Sequence, residues 1–283
     1  MEIDALLETA RLRKNRALTE HESKRLLSAF GVPLPEEILA ADESAAVRAA
    51  EKIGYPVVVK GQGPELLHKT EAGLVHLDLS DAPAVTESCR RIRACAGADL
   101  TGFLVQPLHR GRRELLAGLF RDPQFGPVVM VGIGGIFTEA FSDVSIRLAP
   151  LTEADADEML DELSAGALLG PFRGEAAVDR PRVRRVLLML SRIGTERPDV
   201  AEIDINPMIV SAAGEPVIAD ALAVLGDKRA ASSWPPKVAA DLLGNFFHPR
   251  SIAFVGASGQ IGKWGHMLFT LTVSGGFQGD IYL

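Results

Sequence analysis

Hydrophobic and polar positions along the chain follow two periods, one helical and one extended, and they alternate. Thr19-Glu20-His21-Glu22 has the form of a capping box, with Thr at the N-cap and Glu three residues on. The helix it predicts reaches Phe30 with Leu26, Leu27 and Phe30 on one face, and Gly31 and Pro33 end it. Residues 32–40 form a Pro-interrupted extended segment, and Asp42 caps a second helix that runs through Ile53 to Gly54. The β-branched run 57–60 reads as a buried strand, and 74–79 alternates as a half-buried one. Asp81 opens a helix to about Ala96. Residues 102–107, 114–120 and 127–131 read as strands, with a turn at 121–126, and 139–148 continues as strand-like sequence. Thr152 caps an acidic helix through Leu163, and Pro181 opens another to about Ile193.

Residues 201–210, a turn at 211–215 and residues 216–220 predict a β-hairpin. Every second side chain of a strand shares a face, so Glu202, Asp204 and Asn206 project one way and Ile203 and Ile205 the other. A turn centred on Ala213 sets Asn206 opposite Asp220 and Ile209 opposite Val217, with Cβ atoms about 4.5–5.5 Å apart. Opposed carboxylates repel unless a cation lies between them. Oxygen donors of this kind suit Mg²⁺, which binds through one or two carboxylates together with substrate phosphates. The ordinary alternative is a solvated polar face with Asn206-Pro207 as a plain strand end.

Lys60 closes the strand 57–60, where a point charge on a rigid element suits a phosphate oxygen. Gly61, Gly63 and Gly73 surround His68 in the loop that follows, and glycine lets backbone approach a ligand. The alternative is a solvated lysine and a surface-loop histidine. Gly132-Ile133-Gly134-Gly135 follows a buried strand, where bare N–H groups can face phosphates. It is neither a P-loop nor a dinucleotide-binding fingerprint. Glu114, Glu139 and Arg147 are charges on neighbouring strand-like sequence, for which surface ion pairs are the default.

The order of elements gives an α/β or α+β class. Length sets the number of units: 283 residues suit roughly two domains of about 100–200 residues each. Residues 1–15 read as a polar helical arm, and the polar, alanine-rich stretch 226–245, with Trp234-Pro235-Pro236, as a linker. A net charge of −7 disfavours nucleic acid as a general partner and leaves room for local phosphate sites. No run approaches the roughly 20 apolar residues of a membrane span, and the acidic start Met1-Glu2-Ile3-Asp4 lacks a signal-peptide core, so a cytoplasmic protein is expected. Cys89 and Cys95 fall on different faces of one predicted helix, which argues against a disulfide, and no Cys/His cluster has zinc spacing.

Taken together the motifs resemble a known family. Leu18-Thr19-Glu20-His21-Glu22, Tyr55-Pro56-Val57-Val58-Val59-Lys60, Leu67-His68-Lys69-Thr70-Glu71-Ala72-Gly73 and Leu104-Val105-Gln106-Pro107 are followed by Arg121-Asp122-Pro123-Gln124-Phe125-Gly126-Pro127. Then come Gly132-Ile133-Gly134-Gly135-Ile136-Phe137-Thr138-Glu139, Arg147-Leu148-Ala149-Pro150-Leu151 and Glu202-Ile203-Asp204-Ile205-Asn206-Pro207. In this order, over about residues 16–225, they resemble the ATP-grasp part of the NDP-forming acyl-CoA synthetases, typified by ADP-forming acetate–CoA ligase and related to the β subunit of succinyl-CoA synthetase. The resemblance implies an ATP-grasp fold of two subdomains. It also implies that Lys60 contacts ATP phosphates and that Leu104, Val105 and Gln106 form a hinge holding adenine. Gly132, Gly134, Gly135 and Arg147 would border the triphosphate, with Glu114 among the nucleotide-binding residues. Asn206 and Asp220, with Asp204 beside them, would carry Mg²⁺. His68 falls where the family places a histidine that receives the phosphoryl group. Leu74 departs from the pattern, which often has a second glycine there.

From about Phe246 a second resemblance begins, to the opening of the family's CoA-binding domain: Phe247-His248-Pro249-Arg250-Ser251-Ile252-Ala253-Phe254-Val255-Gly256-Ala257-Ser258. A strand at 251–255, a glycine turn with Gly256, Ser258, Gly262 and Lys263 leading into a helix, and a strand beginning at 279 give an incomplete Rossmann-like βαβ unit, with phosphate favoured at the helix start. Fewer than about 40 residues do not bury a core of their own, so the chain is expected to be a fragment that acts with further CoA-binding and ligase domains, in cis or in trans, in a hetero- or homo-oligomer. The expected function is the ATP-binding, phosphoryl-transferring module of an ADP-forming acyl-CoA synthetase, with ATP/ADP, Mg²⁺ and, in the complete enzyme, CoA. The rivals are an ATP-grasp carboxylate–amine ligase, which needs no histidine carrier, and a non-catalytic nucleotide- or CoA-sensing module. Neither the acid nor the choice of ATP over GTP is legible.

Overall fold

A computed structural model describes residues 2–66, 69, 71–135, 143–226 and 240–283. The chain divides into two compact units, Met1–Ala231 and Ser232–Leu283. The first holds two sheets, each with its own apolar core.

The smaller sheet takes β1 (Ile38–Ala40), β2 (Val57–Gln62), β3 (Val75–Leu79) and β4 (Gly102–Pro107) in the order β1-β4-β2-β3. Helices α3 (Glu43–Ile53, capped by Asp42) and α4 (Ala82–Ala96, capped by Asp81) cover one face. Val57 and Val59 of β2 and Phe103 and Val105 of β4 point into this core with Ala46, Ala50, Val85, Cys89 and Ile92. The alternate residues Val58, Lys60 and Gln62 therefore lie on the opposite face, where Lys60 stands beside Leu104 and Val58 beside Gln106.

The larger sheet has the order β10-β8-β5-β6-β7, with β9 also paired to β8. Its strands are β5 (Arg113–Asp122), β6 (Gly126–Ile133), β7 (Val144–Leu148), β8 (Val200–Val210), β9 (Pro216–Ile218) and β10 (Leu222–Leu225). Leu115, Ala117, Leu119, Val129, Val131, Ile203 and Ile205 line its buried face. Helices α1 (Glu2–Arg11), α2 (Glu20–Ala29), α5 (Glu153–Asp161) and α6 (Arg180–Glu196) contribute to the same core. In α6 the stripe Val183, Val186, Leu187, Leu190 and Ile193 follows the helical period and is buried throughout. The segment 1–15 is not a detached arm. Leu6, Leu7 and Ala10 are at most 8% exposed and pack into this core, because their spacing gives α1 an apolar stripe of its own.

The second unit contains α7 (Ala240–Phe247), β11 (Ser251–Ala253), α8 (Trp264–Ser274) and β12 (Asp280–Tyr282). Strands β11 and β12 pair in parallel across α8, Ile252 beside Ile281, so the βαβ arrangement is present in outline. The start of α7 shortens the expected linker: Ala240–Phe247 is helical. Trp234-Pro235-Pro236 and the rest of 227–239 lie outside the described residues. Trp264, Leu271 and Tyr282 are exposed within this unit.

The two cysteines of α4 are free, Cys89 buried and Cys95 exposed. Burial, with Glu43 adding to it, pushes the Cys89 thiol up to about 12. Since the thiolate is the nucleophile, a thiol reagent at pH 8 is expected to modify one cysteine in the native chain and two after denaturation, with mass spectrometry placing the native adduct on Cys95. Rapid native labelling of Cys89 would contradict the packing of α4. A core test is Leu187→Ala in α6, expected to lower the unfolding free energy by about 2–5 kcal/mol in urea titrations.

Candidate functional site

Helix α2 begins the site. Thr19 caps it, and Glu20 is its first residue, where the free N–H groups and the helix dipole favour an anion. The Glu20 side chain is nonetheless 0% exposed. Its Oε1 accepts from Lys24 Nζ at 2.9 Å and from Lys60 Nζ at 2.7 Å, and its Oε2 accepts from Lys69 Nζ. A helix, a strand and a loop thus send one lysine each to a single buried carboxylate. Burial works against ionisation of Glu20, but the ammoniums of Lys60, Lys69 and Lys24 outweigh it and hold its carboxyl well below the usual range.

A second carboxylate faces the same lysines. Asp220 Oδ2 lies 3.6 Å from Lys60 Nζ and Oδ1 lies 3.6 Å from Lys69 Nζ. The hairpin register matches the expectation, with Ile209 beside Val217 and, beyond β9, Leu222 beside Asp204. Between β9 and β10 the ladder is interrupted at residues 219–221. Ala219 there donates its N–H to Pro207 O at 3.0 Å, and its carbonyl accepts from Lys60 at 2.8 Å and Lys24 at 3.2 Å. The interruption turns this carbonyl toward the smaller sheet and brings Asp220 over the lysines.

Glu20, Gln62, Lys69, Asp204, Asn206 and Asp220 line a cavity of about 280 Å³ at this junction. Burial, then Glu202 and Asp220, raise the Asp204 carboxyl. Burial and then Glu20 raise Asp220, with the three lysines offsetting part of the effect. Asp204 and Asp220 beside the Asn206 carboxamide form an oxygen donor set. Among the described residues no group of three or more His, Cys, Asp or Glu is arranged to hold a metal. Two carboxylates and an amide do fit Mg²⁺, which completes its shell with water and phosphate oxygens.

The other nominated residues are distributed more widely. Val105 points into the core, and Leu104 and Val105 sit in a strand paired on both sides, so neither is free to act as a hinge. Gln106 faces the site but is engaged: its Oε1 accepts from Lys24 at 3.0 Å and its Nε2 donates to Ala219 O at 3.3 Å. Glu114, Gly134 and Gly135 line a second cavity of about 330 Å³ with Arg112, Leu168 and Phe172. Gly132 lies within β6, where a Cβ would come 2.7 Å from Val144 Cγ1, so sheet packing accounts for it rather than phosphate approach. Gly61 and Gly63 do line the first cavity, and each also packs closely: a Cβ there would meet Ile92 at 2.9 Å and the Asp99 carbonyl at 2.0 Å. Arg147 pairs with Glu162 on edge strand β7 and lines neither cavity, in keeping with an ordinary surface ion pair. His68 and Glu139 lie outside the described residues. In the second unit Gly256 and Gly262 adopt positive φ in the loop before α8, Ser258 Oγ accepts from Gln260 N at 3.2 Å, and Lys263 is the N-cap of α8.

Glu20, Lys24, Gln62 and Lys69 were not expected from the sequence. The available signal was in α2: Glu20, Lys24 and Leu27 recur at spacings of four and three, placing two charges on the stripe that packs inward. Charges on such a stripe need partners when buried.

The profile of the ATP-grasp domain family matches residues 9–225. The β subunit of acetate–CoA ligase [ADP-forming] I from Pyrococcus furiosus is 40% identical over 200 residues, covering 69% of this chain and 86% of that subunit. The chain belongs to the ATP-grasp family, among the ADP-forming acetate–CoA ligases. Acetate–CoA ligase [ADP-forming] II of Archaeoglobus fulgidus is 37% identical over 94% of this chain, which spans only 38% of that protein. Among solved structures, acetyl-coenzyme A synthetase 1 of Ca. Korarchaeum cryptofilum, with coenzyme A and Mg-AMPPCP bound and its phosphohistidine segment pointing towards the nucleotide-binding site, matches with TM-score 0.70. It is 38% identical over 79% of this chain and 100% of that one. For a member of this family, the site at Glu20 lies at the junction of the two ATP-grasp sheets.

The folded value of Glu20 is depressed, so its stabilisation is complete above the unfolded carboxyl's value of about 4.3 and is lost as pH falls toward the folded value. Glu20→Gln is expected to cost about 3–5 kcal/mol at pH 7, because it leaves three buried ammoniums to two carboxylates, Glu37 and Asp220. In urea titrations the gap between wild type and Glu20→Gln should narrow from pH 5 to pH 3. An unchanged gap would show that the carboxylate charge contributes nothing.

Proposed function

We propose that the chain is the nucleotide-binding, phosphoryl-transferring module of an ADP-forming acyl-CoA synthetase, which interconverts acyl-CoA, ADP and phosphate with free acid, CoA and ATP. The observation that carries this reading is the cavity lined by Lys69, with Lys60 behind it, together with Asn206, Asp204 and Asp220. An ammonium and a magnesium-type donor set lining one cavity suit a polyphosphate held there. Family membership and the nucleotide- and CoA-bound relative support it.

The chain's residues divide the work. Lys69, fixed by Glu20 and with Lys60 behind it, presents positive charge to the phosphate chain. Asn206 and Asp220, with Asp204 adjacent, would hold Mg²⁺. Bound there, the ion would neutralise charge that develops on the phosphoryl oxygens during transfer. A His68 ring nitrogen would attack the γ-phosphorus; an N–P bond forms, the bond to the bridging oxygen breaks, and its electron pair leaves with ADP. The loop from Gly256 to Lys263 is the candidate contact for CoA. The module would act with further domains or subunits in a cytoplasmic enzyme.

Incubation with γ-labelled ATP and Mg²⁺ is expected to leave acid-labile, base-stable label on wild type. His68→Ala and added chelator should each abolish it. Mg²⁺-dependent turnover that survives in His68→Ala would favour a carboxylate–amine ligase, and ADP binding without any transfer would favour a sensing module.

A further inference from the structure

The three ammoniums at Glu20 differ in how many of their hydrogen-bond donors are already committed. Each carries three N–H groups. Lys24 has four acceptors within reach: Glu20 Oε1 at 2.9 Å, Glu37 Oε2 at 2.9 Å, Gln106 Oε1 at 3.0 Å and Ala219 O at 3.2 Å. Its side chain is 2% exposed, and no donor remains for a ligand. Lys60 commits two donors, to Glu20 Oε1 at 2.7 Å and Ala219 O at 2.8 Å, and retains one. It is not part of the cavity wall. Lys69 does line the cavity, and among the described residues Glu20 Oε2 is its one hydrogen-bond acceptor. Asp220 Oδ1, at 3.6 Å, attracts the ammonium without accepting a hydrogen bond.

We infer that Lys69 is the phosphate-contacting lysine of this site, held by Glu20 so that its two uncommitted donors face the β- and γ-phosphates of a nucleoside triphosphate. The inference rests on the nucleotide reading above and deepens it. Lys69 lies 3.6 Å from Asp220, which with Asn206 would hold Mg²⁺, an ion that would supply charge neutralisation at the phosphates, so Lys69 stands at the same end of the ligand. An independent sign that the cavity receives a ligand is Gln62. It shares the strand face of Lys60, is 3% exposed and lines the cavity, yet its buried Oε1 has no partner and is an acceptor open to a donor on the ligand or on its water. Lys60 is then the inner anchor, Lys69 the ligand-facing cation, and Glu20 the positioning residue for both.

The test is calorimetric titration of Mg-ATP into wild type, Lys69→Met and Lys69→Arg, at low and at moderate salt, with thermal melts of the ligand-free proteins. Loss of a charged hydrogen bond predicts affinity about ten- to hundredfold weaker in Lys69→Met, and a shallower salt dependence. Lys69→Arg keeps the charge and the Glu20 pairing and should recover most of the affinity. If Lys69→Met does not fold, Lys69→Gln carries the same expectation, since it can donate to Glu20 without the charge. Affinity within about threefold of wild type, with unchanged salt dependence, would overturn the assignment of Lys69 and leave the nucleotide reading standing. Absence of Mg-ATP binding by folded wild type would overturn both.

Discussion

A carboxylate with 0% side-chain exposure, shared by three lysines, is the constraint on which the site depends. Glu20 draws Lys24 from its own helix, Lys60 from the smaller sheet and Lys69 from the loop after it. Asp220 and the Ala219 carbonyl, from the larger sheet, complete the enclosure. The charges balance within the chain, Lys24, Lys60 and Lys69 against Glu20, Glu37 and Asp220. Buried ion pairs of this kind rarely add much net stability, because desolvation offsets attraction. Their effect here is geometric: they fix where positive charge stands before any ligand arrives.

The fold explains why the lysines meet at that place. Each sheet packs its own apolar core on one face, so the polar alternate residues of β2, β4 and β8 are left for the opposite faces. The interrupted ladder between β9 and β10 supplies what a continuous hairpin would not. It frees the Ala219 carbonyl to accept from lysines and lets Asp220 leave the strand direction. The donor set comes from the larger sheet and meets the ammoniums, from a helix, the smaller sheet and a loop, at Asp220, 3.6 Å from both Lys60 and Lys69.

Much of this was legible in the sequence. The caps at Thr19, Asp42, Asp81 and Thr152 gave helix starts because a side-chain oxygen on the first turn is a local interaction. The hairpin register, and with it the placement of Asp204, followed from strand periodicity and one turn. Glycines were harder, since Gly61, Gly63 and Gly132 answer to close packing partners distant in sequence, which no local pattern displays. The hinge expectation at Leu104 and Val105 failed for a related reason: β4 is central, and its neighbours on both sides are non-local. Glu20 was hidden behind a correct local reading, since a capping box explains Glu22 and says nothing of the residue beside it.

The measurement that bears most directly on the site is a crystal structure of the chain with Mg²⁺ and a non-hydrolysable ATP analogue. The β- and γ-phosphates are expected in the cavity beside Lys69, with a metal ion on Asn206 and Asp220. A nucleotide whose phosphates lie instead in the cavity beside Glu114 and Gly134, with the Glu20 cluster untouched, would contradict it.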